Sequence, residues 1–528
     1  MWQAFRNILV HVWDRALNAG PWPFLLLGLL DRAILIDHFG ARYVSTDDAV
    51  VWAGSVDYAQ GLLRWPYYYG QDYGPMLEAL VAAPFVAFGL PLNWLLPTIS
   101  SALTLLPFWS FALFHHVRGR PRAGLTFALL PLLLPVEFGM MTTMPRGFVT
   151  GLAALAVLPW LHRSRDTVVS ALLTGCAVSF AWYLNPNTLV FSLPYLVWLV
   201  WRTKPGILNS SALLAGTLPA IALHITSQAW CASRPEAIVH RLGYSGWHFD
   251  GTATWQGLGR LDEHFQWLCP VLWGCEGLLA PGLVALSILA FRRGDRGLSA
   301  AIVVALAGIV ASLSLPKVHD GWDSVFFPLS RMFLAIPLFV AWALSLSAPP
   351  VAAHRTYVLL ALLASVTAIA YKAAHVDRVG ADQVAAQSKW VSVRPFAELQ
   401  EDASALEALC KAHDVDLVIV PIQLGTRIWA QFRAYLHPTL APELAPTYCY
   451  GYDRRHWQRT EQGGAIRRTI LMVGGAEDRW AELRARDPRI LHLGHLQGDV
   501  VHLFTGNDRP TDALMASVLN DLLGSGPG

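Results

Sequence analysis

Charged residues are scarce in this sequence. Asp, Glu, Lys and Arg make up 14% of the 528 residues, against about 25% in an ordinary soluble domain. Hydrophobic residues make up 54%, and the mean hydropathy is +0.40. The formal net charge is only +2 and no basic face or stripe is present, which excludes a nucleic-acid partner. This composition is typical of a polytopic membrane protein.

Recognisable metal and cofactor patterns are also missing. The 6 cysteines and 18 histidines show no zinc spacing, and no set of carboxylates is dense enough to hold a divalent cation. The first apolar segment carries no small-residue cleavage site, so we expect it to be an anchor and not a removed signal. We therefore expect no metal and no cofactor.

Apolar segments near the 20 or so residues needed to cross hydrocarbon recur through the first two thirds of the chain. We count eleven, at about 17–37, 93–117, 123–139, 147–161, 167–184, 188–201, 207–227, 276–291, 298–315, 326–347 and 356–373. With eleven spans, every arginine-rich connection falls on one side, which the positive-inside rule makes cytoplasmic. The predicted fold is an all-α polytopic membrane bundle of about 11 transmembrane helices. Its amino terminus is cytoplasmic, and the arginine-rich, lysine-poor usage favours the bacterial inner membrane.

One apolar segment does not fit this count. If "GPMLEALVAAPFVAFG" (74–89) crossed the membrane, every later basic connection would change sides. We therefore expect a juxtamembrane helix lying in the interface, within an outer loop spanning 38–92.

The tail has a different composition, because charges return and hydrophobic runs shorten after about residue 373. We predict a transmembrane domain, 1–373, and a soluble extracytoplasmic domain, 374–528. Three tail segments have strand character and two have helical spacing, which together predict an α/β domain. The strands are "DLVIVP" (416–421), "RTILMVGG" (468–475) and "DVVHLFTG" (499–506), and the helices lie at 394–415 and 476–488. We interpret this domain as a lid or an acceptor-docking module.

The predicted outer loops collect the residues that could carry chemistry. Ionisable residues at the rim of a membrane bundle are costly and mark a substrate or ion path by default. A carboxylate can take a proton from an acceptor, and arginine stabilises a departing phosphate. The candidates are Asp47, Asp48, Asp57, Arg64, Gln71, Asp72, Tyr73, Glu78, Arg146, Asn185, Asn187, Lys317, His319, Asp320, Asp323 and Arg331. These residue types suit the transfer of a sugar from a polyprenyl phosphate.

Several motifs resemble the C-type glycosyltransferases that use lipid-phosphate sugars, near the bacterial homologues of protein O-mannosyltransferases and the aminoarabinose transferase of lipid A. The motifs are "STDDAVVWAG", "RWPYYYGQDYGPMLEALVAAPFVAFG", "PLSRMFLAIPLF" and, in the tail, "RIWAQFRAYL". The resemblance implies inverting transfer at the extracytoplasmic face. Its partners would be a polyprenyl-phosphate sugar, membrane lipids and an acceptor that is a lipid, a polysaccharide or a protein.

The resemblance also implies roles for residues of the first outer loop. Asp47 and Asp48 match the acidic pair whose first member is the catalytic base. Gln71, Tyr73 and Glu78 match the polar positions of the juxtamembrane motif beside the donor.

The implied phosphate clamp departs from the family pattern. Arg331 matches an arginine that opens a late helix, although Met332 replaces the usual aromatic residue. The relatives often carry Lys-Pro where this chain has "GQDYGP", so a lysine clamp is missing. We assign the phosphate to Arg146 and Arg331, with His319 and Asp320 as possible additions.

Other interpretations of these residues stay open. The acidic pair follows Ser45 and Thr46 and could cap a helix, with or without a catalytic role. Arg331 could extend to the outer surface, and the aromatic cluster 65–73 could be an interfacial belt. Two other functions are open: a polytopic transporter or lipid flippase with an extracytoplasmic binding domain, and a receptor-like scaffold.

Overall fold

The computed structural model describes residues 20–161, 167–241, 248–270, 275–347, 355–386, 391–421, 427–450, 453–475 and 477–523. Over these ranges the chain is mostly helical, with two small sheets. It divides into two compact units. We call them the helical unit, within 1–41, 94–226 and 243–388, and the mixed unit, within 42–93, 227–242 and 389–528. The arginine-rich connection between the predicted spans 147–161 and 167–184, residues 162–166, lies outside the described residues.

The elements are numbered in chain order. The helices are α1 (Trp22–Leu35), α2 (Thr46–Ala59), α3 (Leu77–Ala87), α4 (Leu92–Val117), α5 (Pro121–Leu133), α6 (Val136–Thr143), α7 (Thr150–Leu155), α8 (Leu158–Leu161), α9 (Thr167–Leu184), α10 (Leu189–Thr203), α11 (Ile207–Ala215), α12 (Leu218–Ala232), α13 (Gly251–Gly259), α14 (Leu261–His264), α15 (Leu279–Arg292), α16 (Arg296–Ser312), α17 (Pro316–His319), α18 (Ile336–Ser347), α19 (Arg355–Ala385), α20 (Phe396–Ala412), α21 (Arg427–Tyr435), α22 (His437–Leu440), α23 (His456–Gln458), α24 (Glu477–Arg486) and α25 (Thr511–Leu523). The strands are β1 (Tyr43–Ser45), β2 (Val393–Pro395), β3 (Leu417–Pro421), β4 (Thr447–Tyr450), β5 (Thr469–Val473), β6 (Ile490–Leu496) and β7 (Asp499–Thr505).

Long apolar helices identify an integral membrane protein. Within the described ranges, four are long and apolar enough to cross a membrane by length and composition: Leu92–Val117, Thr167–Leu184, Ile207–Ala232 and Thr356–Ala385. A fifth candidate is the pair α5 and α6, which bends by 89°. The bend lies where Leu134 is extended before Pro135, since a residue preceding proline disfavours the helical region. The count of eleven spans stays a prediction.

The predicted helix at 74–89 is present as α3 and packs against α2. The two helices approach closely at Gly54, where an added Cβ would lie 2.7 Å from the Met76 Cε atom. A larger residue at position 54 would first displace the end of the Met76 side chain, which precedes α3. The interfacial position of α3 stays a prediction.

In the mixed unit, the beginning of the first outer loop and the beginning of the tail form one small sheet. Strands β1 and β2 are antiparallel, with Tyr43 opposite Pro395 and Ser45 opposite Val393. The backbone N–H of Thr46 donates to the carbonyl of Ser392 at 2.9 Å. This pairing fixes the direction in which the chain enters α2.

The tail forms the α/β fold expected from its sequence. Its five-stranded sheet has the order β4-β3-β5-β7-β6, with β3 parallel to β4 and β5, and β7 antiparallel to β5 and β6. The three predicted strands and the two predicted helices are confirmed. Leu417, Ile419, Met472, Phe504 and Trp480 lie in its buried core.

Candidate functional site

The two adjacent acids have different environments. Ser45 caps α2: its hydroxyl accepts from the Asp48 N–H at 3.2 Å, and the Asp48 carboxylate accepts from the Ser45 N–H at 2.8 Å. This is a capping box, which satisfies two backbone donors at the start of the helix. Asp48 is buried, whereas the Asp47 side chain is 22% exposed. Only Asp47 of the pair retains substantial access to solvent.

Asp47 lies beside a tail arginine. The Arg454 Nη2 atom is 3.6 Å from the Asp47 Oδ1 atom, and the arginine side chain is only 8% exposed. The Arg454 guanidinium also lies over the Tyr68 ring at 5.4 Å, and the Tyr68 hydroxyl donates to the Asp47 carbonyl at 2.7 Å. A partly exposed carboxylate held in this way can accept a proton from a bound hydroxyl or amine.

The segment that carries Arg454 is hydrogen-bonded to α21. The Arg454 N–H donates to the Tyr435 hydroxyl at 2.8 Å, and burial raises the pKa of that phenol well above its usual value. Within α21, the Arg433 guanidinium donates to Asp402 at 2.9 Å and to Asp499 at 2.6 Å. The motif "RIWAQFRAYL" therefore supports the arginine beside Asp47.

Aromatic residues of the segment 38–92, the predicted outer loop, pack on the same tail segment. The Trp65 ring lies 5.1 Å from His456, and the Tyr69 ring meets Trp457 edge-on at 4.9 Å. Burial, followed by the charge of Arg234, lowers the pKa of His456. The sequence "DRRHW" (453–457) was not among the predicted site residues, although its adjacent basic and aromatic residues in an otherwise ordinary tail were a usable signal.

The third acid of α2, Asp57, is half-buried. Asp57 accepts from the Tyr69 hydroxyl at 2.6 Å, and burial raises the pKa of Asp57. Arg64 forms an ion pair with Glu461 at 3.1 Å. These contacts hold the loop after α2 in place.

The three polar positions of the juxtamembrane motif differ in exposure. The Gln71 carbonyl accepts from the Trp65 indole N–H at 2.6 Å, and Gln71 forms an isolated bridge with His240. Tyr73 is half-buried, whereas Glu78 is buried. Their placement beside a donor stays a prediction.

In the helical unit, two predicted cations lie against one aromatic ring. The guanidinium carbons of Arg331 and Arg146 are 4.0 Å and 5.8 Å from the centroid of Phe327. Asn187 donates to the carbonyls of Phe148 at 2.8 Å and of Arg331 at 3.2 Å. The predicted turn "NPN" therefore ties together the segments that carry both arginines.

The two arginines are not equivalent. The Arg331 guanidinium donates to the carbonyls of Pro328 at 2.7 Å and Lys317 at 3.4 Å, and also to that of Asp320. Through these bonds Arg331 stabilises the loop that precedes it. Arg146 is buried and its guanidinium lies 5.1 Å from the Phe148 ring.

Of the two possible additions to this group, Asp320 accepts from Arg331 through its backbone carbonyl, and His319 is bound to backbone. Its Nε2 atom lies 2.6 Å from the Leu313 carbonyl, so that nitrogen carries the proton in this contact. Its ring is 5.2 Å from His264, and burial lowers the pKa of His264 to about 4. His264 is thus neutral at physiological pH.

A buried ion pair was not foreseen. Lys372 of α19 donates to Asp31 of α1 at 2.9 Å, and both side chains are 4% exposed. The adjacent Arg32 donates to the Thr142 hydroxyl at 2.7 Å and the Gly139 carbonyl at 3.2 Å. Asp31 and Arg32 stood out in the sequence only as an interruption of the first span, and their partners lie more than a hundred positions away.

No family model and no curated protein matches this chain. Among solved structures, it is similar to the crystal structure of ArnT from Cupriavidus metallidurans in the apo state. The similarity covers 91% of this chain and 97% of that one, at 13% sequence identity and a TM-score of 0.42. A TM-score this low carries no argument, so function must be argued from the residues themselves.

Proposed function

We propose that this protein is a membrane glycosyltransferase of the C type, which moves a sugar from a polyprenyl-phosphate donor to an acceptor at the extracytoplasmic face. The eleven spans and the cytoplasmic amino terminus belong to the same proposal. The observation that supports it most is that the two adjacent acids have different environments. Asp48 closes a helix end, while Asp47 keeps a partly exposed carboxylate beside Arg454.

In the proposed reaction, Asp47 takes the proton of the acceptor hydroxyl or amine. The freed lone pair attacks the anomeric carbon on the face opposite the phosphate, and a new glycosidic bond forms. The bond from that carbon to the phosphate oxygen breaks, and its electron pair leaves with the polyprenyl phosphate. The configuration at the anomeric carbon is inverted.

The departing phosphate gains negative charge, which a guanidinium stabilises. We assign this role to Arg146 and Arg331, because both are buried cations whose guanidinium groups lie at the Phe327 ring. Arg331 contributes by its charge and by holding the loop that carries Phe327. The proposal gives no role to a divalent metal, and Gln71, Tyr73 and Glu78 are expected beside the donor.

The test is a transfer assay in membranes from cells that lack the protein, which supply the unidentified acceptor. Purified protein is added with labelled polyprenyl-phosphate hexoses and pentoses, and the label gained by lipid, polysaccharide and protein fractions is measured. We expect Asp47→Asn to lower transfer at least about a hundredfold, since a placed base contributes 10² to 10⁴.

Asp414→Asn is the matched control for this assay. Asp414 is exposed in the same unit and has a φ of 50°, a left-handed conformation that asparagine also tolerates. Its transfer rate should equal that of the unchanged protein. Full activity of Asp47→Asn, or no transfer from any donor by the unchanged protein, would refute the proposal.

A transporter is the second candidate, and two observations favour it. Transporters use broken helices and ionisable residues within the membrane, and here α5 and α6 are bent by 89° while Asp31 and Lys372 form a buried pair. Proteoliposomes that move a labelled polyprenyl-phosphate sugar across the bilayer, without any glycosyl transfer, would favour this candidate.

A further inference from the structure

The helical unit contains a cavity that the proposed reaction does not use. Its volume is about 430 Å³, within the range of small-ligand sites. It is lined by residues of α4, α9, α10, α11 and α18, together with the connections that follow α4 and α10. The lining includes Phe111, Phe114, His115, Arg120, Tyr195, Trp198, Arg202, Asn209 and Trp342.

Aromatic rings form one side of the cavity. Trp198 meets Trp342 edge-on at 5.5 Å, and the Tyr195 ring is 5.8 Å from Trp198. Tyr195 and Trp342 are buried. Rings packed in this way supply a preformed apolar wall with a few polar edges.

Cations lie at the rim of the same cavity. The Arg202 guanidinium carbon is 5.4 Å from the Trp198 ring, so its charge is held at the aromatic wall. Arg120 is exposed, and its backbone N–H donates to the His115 carbonyl at 2.9 Å. The two arginines therefore line the cavity from the last turn of α10 and from the connection that follows α4.

His115 supplies a second and independent indication of a ligand. It is 6% exposed and lines the cavity, yet its Nδ1 atom has no hydrogen-bond partner among the described residues. A buried polar atom without a partner costs free energy unless a ligand or water satisfies it. A phosphate oxygen is a suitable acceptor for an imidazole N–H.

This cavity is separate from the Arg146 and Arg331 cluster. Thr167 lines the cavity at the first turn of α9, whereas Asn185, just beyond the other end of α9, bonds to the Gly147 carbonyl. At 1.5 Å per residue, the two ends of this helix are roughly 25 Å apart. A phosphate bound at Arg120 and Arg202 therefore cannot be the same phosphate that reaches Arg146.

We propose that the cavity binds the headgroup of an anionic phospholipid, with the phosphate between Arg120, Arg202 and His115 and the first acyl carbons against Trp198 and Trp342. Basic pockets at helix ends recognise anionic headgroups through charge and hydrogen bonds. The side that carries the basic residues is the one the positive-inside rule makes cytoplasmic. Lipid bound here would act as a structural or regulatory ligand and not as the sugar donor.

The experiment is native mass spectrometry of the full-length protein in detergent, with phosphatidylglycerol or phosphatidylcholine added. We expect phosphatidylglycerol to be retained at least roughly tenfold more tightly than phosphatidylcholine, a difference of about 1.4 kcal/mol. The double variant Arg120→Gln/Arg202→Gln should lose that preference. The matched control Arg292→Gln/Arg296→Gln changes two exposed arginines outside the cavity lining and should keep it.

Trp198→Leu provides a second test without a change in charge, and it should also weaken phosphatidylglycerol retention. Equal retention by both double variants, with an unchanged Trp198→Leu, would overturn the proposal. Displacement of the lipid by inorganic phosphate alone would indicate a soluble phosphate ligand, and preferential retention of polyprenyl phosphate would indicate a second donor-type site. Either result would overturn the assignment to a phospholipid.

Discussion

Each unit of this protein contains an acid paired with a basic residue, and the two pairs differ in what they expose. In the helical unit, Asp31 and Lys372 lie 2.9 Å apart and both are buried. In the mixed unit, Asp47 and Arg454 are 3.6 Å apart, and the carboxylate reaches solvent. The closed pair has no room for a reactant, so its contribution is to hold helices together. The open pair keeps part of the Asp47 side chain exposed.

The difference teaches how to separate structural from functional charge in a membrane protein. An ionisable residue within the bilayer is often taken as functional by default, and Asp31 would be chosen first by that criterion alone. Its buried partner accounts for it without a ligand. Asp47 instead combines a partly exposed carboxylate, a backbone carbonyl bound by Tyr68 and an arginine partner whose backbone N–H binds Tyr435. This arrangement suits a proton acceptor.

The largest expected effect concerns the closed pair. Asp31→Asn leaves Lys372 as a buried charge without its counterion, which costs about 3 to 5 kcal/mol. Thermal unfolding in detergent should show a large fall in Tm. The double replacement Asp31→Leu/Lys372→Met removes both charges and should recover most of the stability and keep glycosyl transfer. If the double variant is stable but loses transfer, the closed pair is functional and the distinction between the pairs is wrong.

The next effect is the pH dependence of stability that a buried histidine of the mixed unit produces. Burial, followed by the charge of Arg484, lowers the pKa of His502 to about 3, and its Nε2 atom lies 3.0 Å from the Arg484 Nη1 atom. Below the ordinary histidine pKa of about 6.5, the unfolded chain binds a proton that the folded chain does not. Stability is therefore full above that pH and falls as the pH drops toward 3, by on the order of 2 kcal/mol between pH 7 and pH 5.

Unfolding of the full chain at these two pH values, compared between the unchanged protein and His502→Gln, measures that contribution. The variant should show a smaller loss on acidification, because glutamine still accepts from Arg484 but does not titrate. His413→Gln, on the half-buried imidazole that follows α20, should leave the loss unchanged. An equal loss in His502→Gln would refute the assignment.

A smaller effect is expected at the positioning residue of the open pair. Arg454→Gln removes the charge beside Asp47 and should lower kcat/KM about tenfold, equivalent to about 1.4 kcal/mol. Arg454→Lys keeps a charge and should recover part of the rate, which a purely structural role would not require. Arg486→Gln, an exposed arginine of α24, is the control. A wild-type rate and pH profile in Arg454→Gln would show that the partner does not matter.

The smallest effect concerns the capping acid. Asp48→Ala removes one half of the capping box at the start of α2 and should cost about 1 kcal/mol of stability. The measurement is Tm, with Glu482→Ala, at an exposed position of α24, as a control for loss of an acid from the same unit. No change in Tm would mean that the cap does not stabilise α2.

Local features of this fold were readable from the sequence. The strand segments of the tail were short, β-branched and bounded by turns, so β3, β5 and β7 were found. Strand β6 was missed, because it carries two histidines and a glycine and alternates poorly. The cap at Ser45 was visible as one of two readings of the acidic pair.

Long-range partners were not readable. Arg454 is some four hundred positions from Asp47, and Lys372 is separated from Asp31 by most of the helical unit; hydrophobic periodicity says nothing about such pairings. The same holds for Phe327, which lies beside Arg331 in the chain but also meets Arg146 from a distant segment. Residue types indicated the chemistry, whereas only the folded chain shows which charges are already satisfied.

The most direct test compares the neighbouring acids in one transfer assay, with Asp47→Asn and Asp48→Asn measured side by side on polyprenyl-phosphate sugar. The account predicts a loss of at least about a hundredfold for Asp47→Asn without a change in Tm. For Asp48→Asn it predicts a modest loss of rate that follows a lowered Tm. Equal losses in the two variants, or a larger loss in Asp48→Asn at unchanged Tm, would contradict the assignment of the base to Asp47.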